Sequence, residues 1–393
     1  MPVPSPFHAC TAPLCESHQW KEWAGFLAVC RYGTSAEPEY HALRSAAGLL
    51  DISPLFKYEV VGADARDFLS YIATRDIAHL KPGRVTYSCM CDEAGMVIDD
   101  GTIACLDENR FRLTSASPMF RWLDRHTRSF DATVTDVSES LAALAIQGPQ
   151  SRHIIVNALG DDLEHLPYFG VTSTRIEGVD VSRTGYTGDL GYEIWLPTAA
   201  AVDIWNALIA AGEPLGLSPC GLDALDITRI EAGFVLQGVD YFSAPQCAVE
   251  SRKSTPFELG LGWTVELDRG PFLGQQALAA AKARGNSWNL VGLDVDWEDL
   301  EQLYAEYELP PALPADACRQ ALPIYFGQRQ VGQATSTTWS PILKKYLALA
   351  SVQPEFSSLE TMIKIEHTVE FERRAVSATV VERPFFDPER KKA

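Results

Sequence analysis

The stretch "SRTGYTGDLGYEIWLP", residues Ser182 to Pro197, sets Gly185, Gly188 and Gly191 at intervals of three and then presents Glu193 at the head of an apolar run. A hairpin turn is satisfied by one glycine. Three at this spacing mean that the chain bends repeatedly, or that something approaches its backbone closely. The flanking segments alternate like strands, so the stretch reads as a strand pair joined through an unusual loop.

Working outward, a chain of 393 residues exceeds one ordinary core and predicts two or three domains. A hydrophobic fraction of 46% and a charged fraction of 22% are those of a soluble globular protein. The apolar runs are too short to span a bilayer, and "MPVPSPFHACTAPLC" lacks a signal-peptide pattern, so the expectation is a cytoplasmic protein. A formal charge of −19 argues against nucleic acid or an anionic membrane as partner. The nine cysteines are scattered without paired Cys-x-x-Cys spacing, which predicts reduced, buried thiols and no structural zinc.

Along the chain, residues 1–36 read as an irregular segment. A helix follows in "EYHALRSAAGLLDIS", stopped by Gly48, then a strand in "LFKYEVVG" and a helix capped by Asp64. "RVTYSCMCDEAGMVIDDGTIACLDENRFRLTS" alternates as a three-strand meander, and "CGLDALDITRIEAGF" is a largely apolar helix. "LGWTVEL" reads as a strand and "FLGQQALAAAKARG" as a helix with a glycine stop. From about residue 288 short alternating runs predict a small β-barrel, interrupted by an acidic, proline-bearing insertion at 297–319. The domain division expected is therefore 1–36, 37–287 and 288–393.

The motifs "HALRSAAGLLDIS", "GMVIDDGTI", "IQGPQ", "RTGYTGDLGYEI", "CGLDALDITRIEAGF", "ELGLGWTVELDRGPFLGQQAL" and "WSPILKKYLALASV" occur in this order. Together they resemble the aminomethyltransferase family, whose founding member is the T-protein of the glycine cleavage system, over roughly residues 37–383. The resemblance implies a three-lobed α+β fold with a ferredoxin-like domain and a carboxyl-terminal β-barrel, around a central channel for tetrahydrofolate. It implies a one-carbon transferase, moving an aminomethyl or methyl unit. The donor would be a small molecule or carrier-bound, with a lipoyl carrier protein or a separate oxidase or dehydrogenase subunit as partner.

On the residues alone, Asp99 and Asp100 are an acidic pair near a strand end, where such pairs usually cap a turn or face water. Neighbours on a strand point to opposite faces, so one of the two can look into a pocket. The resemblance makes one of them the catalytic carboxylate beside the folate's reactive nitrogen, with Asp99 preferred. A fixed carboxylate there stabilises the positive charge that develops on the transferred carbon or on nitrogen. Glu193 is either a surface residue of a hairpin or, by the resemblance, the carboxylate that accepts the adjacent N–H groups of the pterin, the glycines letting its ring lie close to the backbone. Arg229 is either a local ion-pair partner of Asp226 three residues before it or, in the family's pattern, a holder of the folate tail. Tyr87 and Tyr186 are ring-stacking or core residues, and Trp339 is placed to line the channel from the barrel.

The chain departs from the T-protein pattern at Ser53-Pro54, in "RLTSASP" and in the acidic insertion. These departures keep open a tetrahydrofolate-dependent demethylase of a small N-, O- or S-methylated compound. A non-catalytic folate-binding or regulatory protein is the reading from a different class. The latter is disfavoured by the absence of a Lys-Gly-Cys-Tyr-x-Gly-Gln-Glu signature and by the presence of Asp99.

Overall fold

The computed structural model describes residues 1–160 and 163–393. Among the described residues, four sheets organise the chain. The meander strands Arg84–Cys91, Val97–Asp107 and Arg110–Ser115 pair in sequence order, and Phe56–Val61 and Thr133–Asp136 extend them to five strands. Its inner face buries Phe68, Leu69 and Ile72 of the helix Ala65–Ile72 against Ile103, Phe111 and Leu113. Asp64 precedes that helix, yet its carboxylate accepts from the Asp131 amide and not from the first helical turn.

A six-stranded sheet has Gly191–Pro197 and Leu141–Gln147 at its centre, antiparallel and in register from Leu141 with Pro197 to Gln147 with Gly191. Asp180–Ser182 lies on the outer side of Gly191–Pro197, so Ser182 to Pro197 does join two paired strands. The connection is a broad loop over 183–190 rather than a tight turn. On the other side sits Ala47–Asp51, which begins before Gly48; this glycine is in the strand and does not stop the preceding helix Glu37–Ser45. A Cβ at Gly48 would come within 2.5 Å of Leu43 and 2.6 Å of the Cys220 sulfur, so close packing, not chain termination, explains it.

The strands Asn289–Val295, Leu322–Phe326, Arg329–Ser340, Lys345–Val352, Met362–Val369 and Glu372–Val381 close into a barrel, which removes the exposed edges an open sheet would leave. The acidic insertion folds into the helix Trp297–Ala305, started by the Asp296 carboxylate accepting from the Asp299 amide. Its Leu300, Leu303 and Tyr304 bury against the barrel, and an irregular stretch then runs to Leu322.

Two further expectations fail here. The first 36 residues are not irregular throughout: Val3–Pro4, Gln19–Trp23 and Phe26–Arg31 form a three-stranded sheet. "LGWTVEL" is not a strand but a short 3-10 turn over Gly262–Thr264, which exposes Trp263 by 59%. No helix among the described residues is long and apolar enough to cross a membrane.

Candidate functional site

The strand Val97–Asp107 carries the acidic pair. A bulge leaves Ile98 unpaired between the Met90–Asp99 and Cys91–Val97 partners, and bulges re-aim the side chains beside them. Asp99 is fully buried, and its two oxygens accept from the backbone amides of Asp100 (2.9 Å) and Ser117 (2.7 Å). Asp100 is partly exposed. One of its oxygens accepts from the Tyr87 hydroxyl at 2.5 Å, and the other from the Tyr241 hydroxyl. Tyr241 also lies 3.3 Å from Asp99, so a single phenol bridges both carboxyls.

The two carboxyls therefore differ in their surroundings. The oxygens of Asp99 face backbone amides inside the protein, whereas those of the half-buried Asp100 face the tyrosine wall. Burial raises the pKa of Asp99, and the Asp100 charge raises it further. Burial also raises Asp100, opposed by the bonds from Tyr241 and Tyr87. Both phenols are in turn pushed far up, first by burial and then by Asp100, so they remain donors. The group can hold a proton at a pH where isolated carboxyls have lost theirs.

Around this pair the aromatic surfaces are flat and partly open. Tyr87 stacks on Trp263, with centroids 5.8 Å apart and planes 19° apart. Tyr186 stacks on Phe234 at 5.5 Å, and its hydroxyl donates to the Val235 carbonyl. Burial pushes the Tyr186 phenol up, the Arg229 charge opposes this, and the Asp100 charge adds to it.

The glycine-rich loop has an internal cause. Gln147, fully buried, inserts its side-chain amide into the loop: Nε2 donates to the Thr184 and Tyr192 carbonyls, and Oε1 accepts from Thr187. A Cβ at Gly185 would stand 2.0 Å from Gln147 Oε1, and one at Gly191 2.2 Å from it. Gly188 takes φ +74°, and a Cβ there would stand 2.5 Å from Ala232 Cβ, so it too is required by the protein itself. The expectation that these glycines make room for a bound ring is thereby corrected: the close approach is made by Gln147 and Ala232.

The carboxyl-terminal segment braces the same loop. Arg390 donates to both oxygens of the buried Asp189 at 2.7 Å, Lys391 lies over the Phe234 ring at 5.5 Å, and Arg44 donates to the Thr187 carbonyl at 2.9 Å.

Glu193 follows the loop and accepts from Thr184 at 2.5 Å on one oxygen. Its other oxygen has no protein donor among the described residues, and burial raises its pKa. Arg229 is 1% exposed and turned inward. It donates to Asp226 (2.7 Å), Asp240 (2.6 Å), Ser336 (2.7 Å) and the Phe234 carbonyl (3.2 Å), tying the helix Leu222–Glu231 to the barrel. This realises the ion pair with Asp226, and most of its donors are already directed at protein acceptors.

The structure thus brings together Asp99, Asp100, Tyr87 and Tyr186, sets Glu193 at the foot of the adjoining loop, and puts Arg229 beneath them. It does not bring Trp339 to this group. That ring instead lies 5.2 Å from Trp297 of the insertion helix, in a separate cleft. Sequence reasoning missed Tyr241, Trp263, Ser117 and Gln147. Tyr241 and Ser117 carry no local signal, because their partners are 141 and 18 residues away.

Comparison with known proteins now adds to this geometry. Residues 8–269 match the model of the GCVT N-terminal domain, and residues 309–387 that of the glycine cleavage T-protein C-terminal barrel domain. Proteins named aminomethyltransferase from Bacillus cytotoxicus and Halothermothrix orenii are 34% and 33% identical. The first alignment covers 90% of each chain, the second 93% of this chain and 95% of the relative. The crystal structure of glycine cleavage system aminomethyltransferase T from Bartonella henselae superposes with a TM-score of 0.84 at 24% identity, covering 98% of this chain and 99% of that one. The expected α+β fold with a carboxyl-terminal barrel is that fold.

Proposed function

The chain belongs to the aminomethyltransferase family, that of the glycine cleavage T-protein, and on that premise we propose that it transfers a one-carbon unit to tetrahydrofolate with Asp100 at the reacting centre. The observation that carries this reading is the half-buried Asp100, its carboxylate held by two phenolic donors against the buried carboxyl of Asp99. Tetrahydrofolate supplies the nucleophilic N5 nitrogen that accepts the carbon.

The residues present fit such a molecule. The free oxygen of Glu193 accepts N–H donors of the pterin edge, and the aromatic faces of Tyr87, Trp263 and Tyr186 offer stacking surface. Asp100 provides negative charge where positive charge develops in the transition state, already oriented by Tyr87 and Tyr241, so little reorganisation is needed. Asp99, the more deeply buried of the two, holds the proton that the pair retains, and the bridging Tyr241 lets it pass to a departing amine. Arg229 acts by fixing the helix Leu222–Glu231 to the barrel beneath the site. The unit is an aminomethyl or methyl group, delivered by a carrier-bound or small-molecule donor.

The test is anaerobic incubation of the protein with tetrahydrofolate and a panel of aminomethyl and methyl donors, following the mass of the folate product. Asp100→Asn is expected to slow transfer by about 10²-fold while leaving folate binding in place. An Asp100→Asn protein as fast as the wild type would remove Asp100 from the reacting centre.

A further inference from the structure

Apart from the acidic pair, the structure holds a cleft of about 240 Å³ where the insertion meets the body of the protein. Its walls include Trp297 of the insertion helix, Leu313 and Pro314 of the irregular stretch, Trp339 of the barrel, Ile227 of the helix Leu222–Glu231, and Glu37. The volume is far above the roughly 10–15 Å³ that one water needs and below the roughly 300–1,000 Å³ of drug-sized pockets, so a small solute fits it.

Three features define the chemistry of that solute. The two indoles meet in a corner, with centroids 5.2 Å apart and planes at 50°, and the Trp297 N–H is held by Glu301 at 2.6 Å. Indole is the best side chain for attracting a cation to a ring face. Glu37 brings a carboxylate that is 66% exposed, with the His41 ring 3.6 Å away. Two basic groups near the cleft are already committed: Arg319 pairs with Asp226 at 2.6 Å, and Arg31 with Asp316 at 2.7 Å and Asp223 at 3.4 Å. The insertion itself carries six carboxylates against one arginine between Trp297 and Arg319. Asp316 and Glu306 are paired with Arg31 and Arg374, and the remaining excess of carboxylates disfavours an anion, while a small neutral solute gains nothing from the charge.

We infer that this cleft is a binding site for a small quaternary ammonium cation carrying methyl groups, with Trp297 and Trp339 meeting the methyl shell and Glu37 balancing the charge. A quaternary ammonium ion is weakly hydrated and donates no hydrogen bonds, so an apolar corner with one nearby carboxylate suits it better than it suits sodium or a primary amine. The inference does not depend on folate use, because none of the cleft residues belongs to the acidic pair or its tyrosines.

The test is a titration of the full-length protein with choline, and with 3,3-dimethylbutan-1-ol as its uncharged isostere, at constant ionic strength, read by saturation-transfer NMR and calorimetry. Saturable choline binding, at least tenfold tighter than the alcohol and weakened at least fivefold in Trp297→Ala and in Glu37→Gln, is the expected result. Both substitutions fall on exposed side chains, so the folded state persists in each. Equal binding of choline and the alcohol, no binding of either, or choline binding unchanged in both variants would each overturn the inference. A parallel tetrahydrofolate titration of the same samples separates this outcome from that of the proposed function, since neither variant should alter it.

Discussion

Gly185→Ala is the substitution that most sharply separates a loop built around Gln147 from a loop built around a ligand. The new methyl group would lie 2.0 Å from Gln147 Oε1 and 2.5 Å from its Cδ and Nε2. Gln147 cannot swing aside freely, because its amide makes two bonds of 3.3 Å and one of 3.0 Å to the loop and the next strand. Gly185 itself is outside the left-handed region, so alanine meets no backbone strain there. Overpacking costs about 1–3 kcal/mol, and each displaced hydrogen bond about 1 kcal/mol more. The gain from a stiffer unfolded chain returns only about 0.4–1 kcal/mol. A net loss on the order of 2–3 kcal/mol is expected. Gln147→Ala alone removes one donor each from the Thr184 and Tyr192 carbonyls and leaves the buried Thr187 hydroxyl without its acceptor, costing on the order of 2–3 kcal/mol. In that background the obstacle is gone, so Gly185→Ala should cost almost nothing. The double-mutant cycle then shows a coupling of about 2–3 kcal/mol, within the range known for residues in contact. Urea denaturation of the four proteins without folate, followed by far-ultraviolet circular dichroism, measures it. Equal cost of Gly185→Ala in both backgrounds would refute the reasoning. So would a Gly185→Ala protein of wild-type stability that has lost only folate affinity, because the glycine would then serve the ligand.

Two further expectations concern buried titrating groups. Tyr241→Phe removes a donor that holds the Asp100 pKa down, so the anionic form is less favoured and the acid limb of the pH–rate profile should move to higher pH; an unmoved limb would show that the pair does not control the reaction. Lys57 is fully buried, and burial lowers its pKa from 10.5 to about 8, so below pH 8 the folded state bears a charge that the unfolded chain carries more readily. Lys57→Met should therefore stabilise the protein at pH 7 by an amount on the order of 3 kcal/mol, less the bond to the Ser53 carbonyl. The gain should shrink as the pH rises from about 8 toward 10.5, and a pH-independent difference in urea denaturation would contradict it.

Much of this architecture is legible in the residues because local pattern and long-range packing agree there. The meander over 84–115 alternates cleanly, and the six barrel strands declare themselves by short runs and turns. What escaped sequence reading depends on partners far along the chain. Gly48 looks like a helix stop, but Leu43 and Cys220 require it inside a strand. Gly185 and Gly191 look like a ligand cradle, but a glutamine about 40 residues earlier occupies the space. Asp99 and Asp100 are adjacent and alike in type; only the Ser117 amide on one and Tyr87 on the other distinguish the buried member from the accessible one. The motif "LGWTVEL" carries strand-forming residues, yet the Leu261–Thr264 turn bond bends it into a 3-10 turn and turns Trp263 out to stack on Tyr87.

The most direct measurement is an anaerobic titration of the wild-type protein and Glu193→Ala with tetrahydrofolate, followed by tryptophan fluorescence. Saturation of the wild type in the micromolar range, about −8 kcal/mol, with Glu193→Ala weakened at least tenfold, is the predicted result. A wild-type protein that does not saturate with tetrahydrofolate would contradict the account, leaving the family likeness to describe the fold alone.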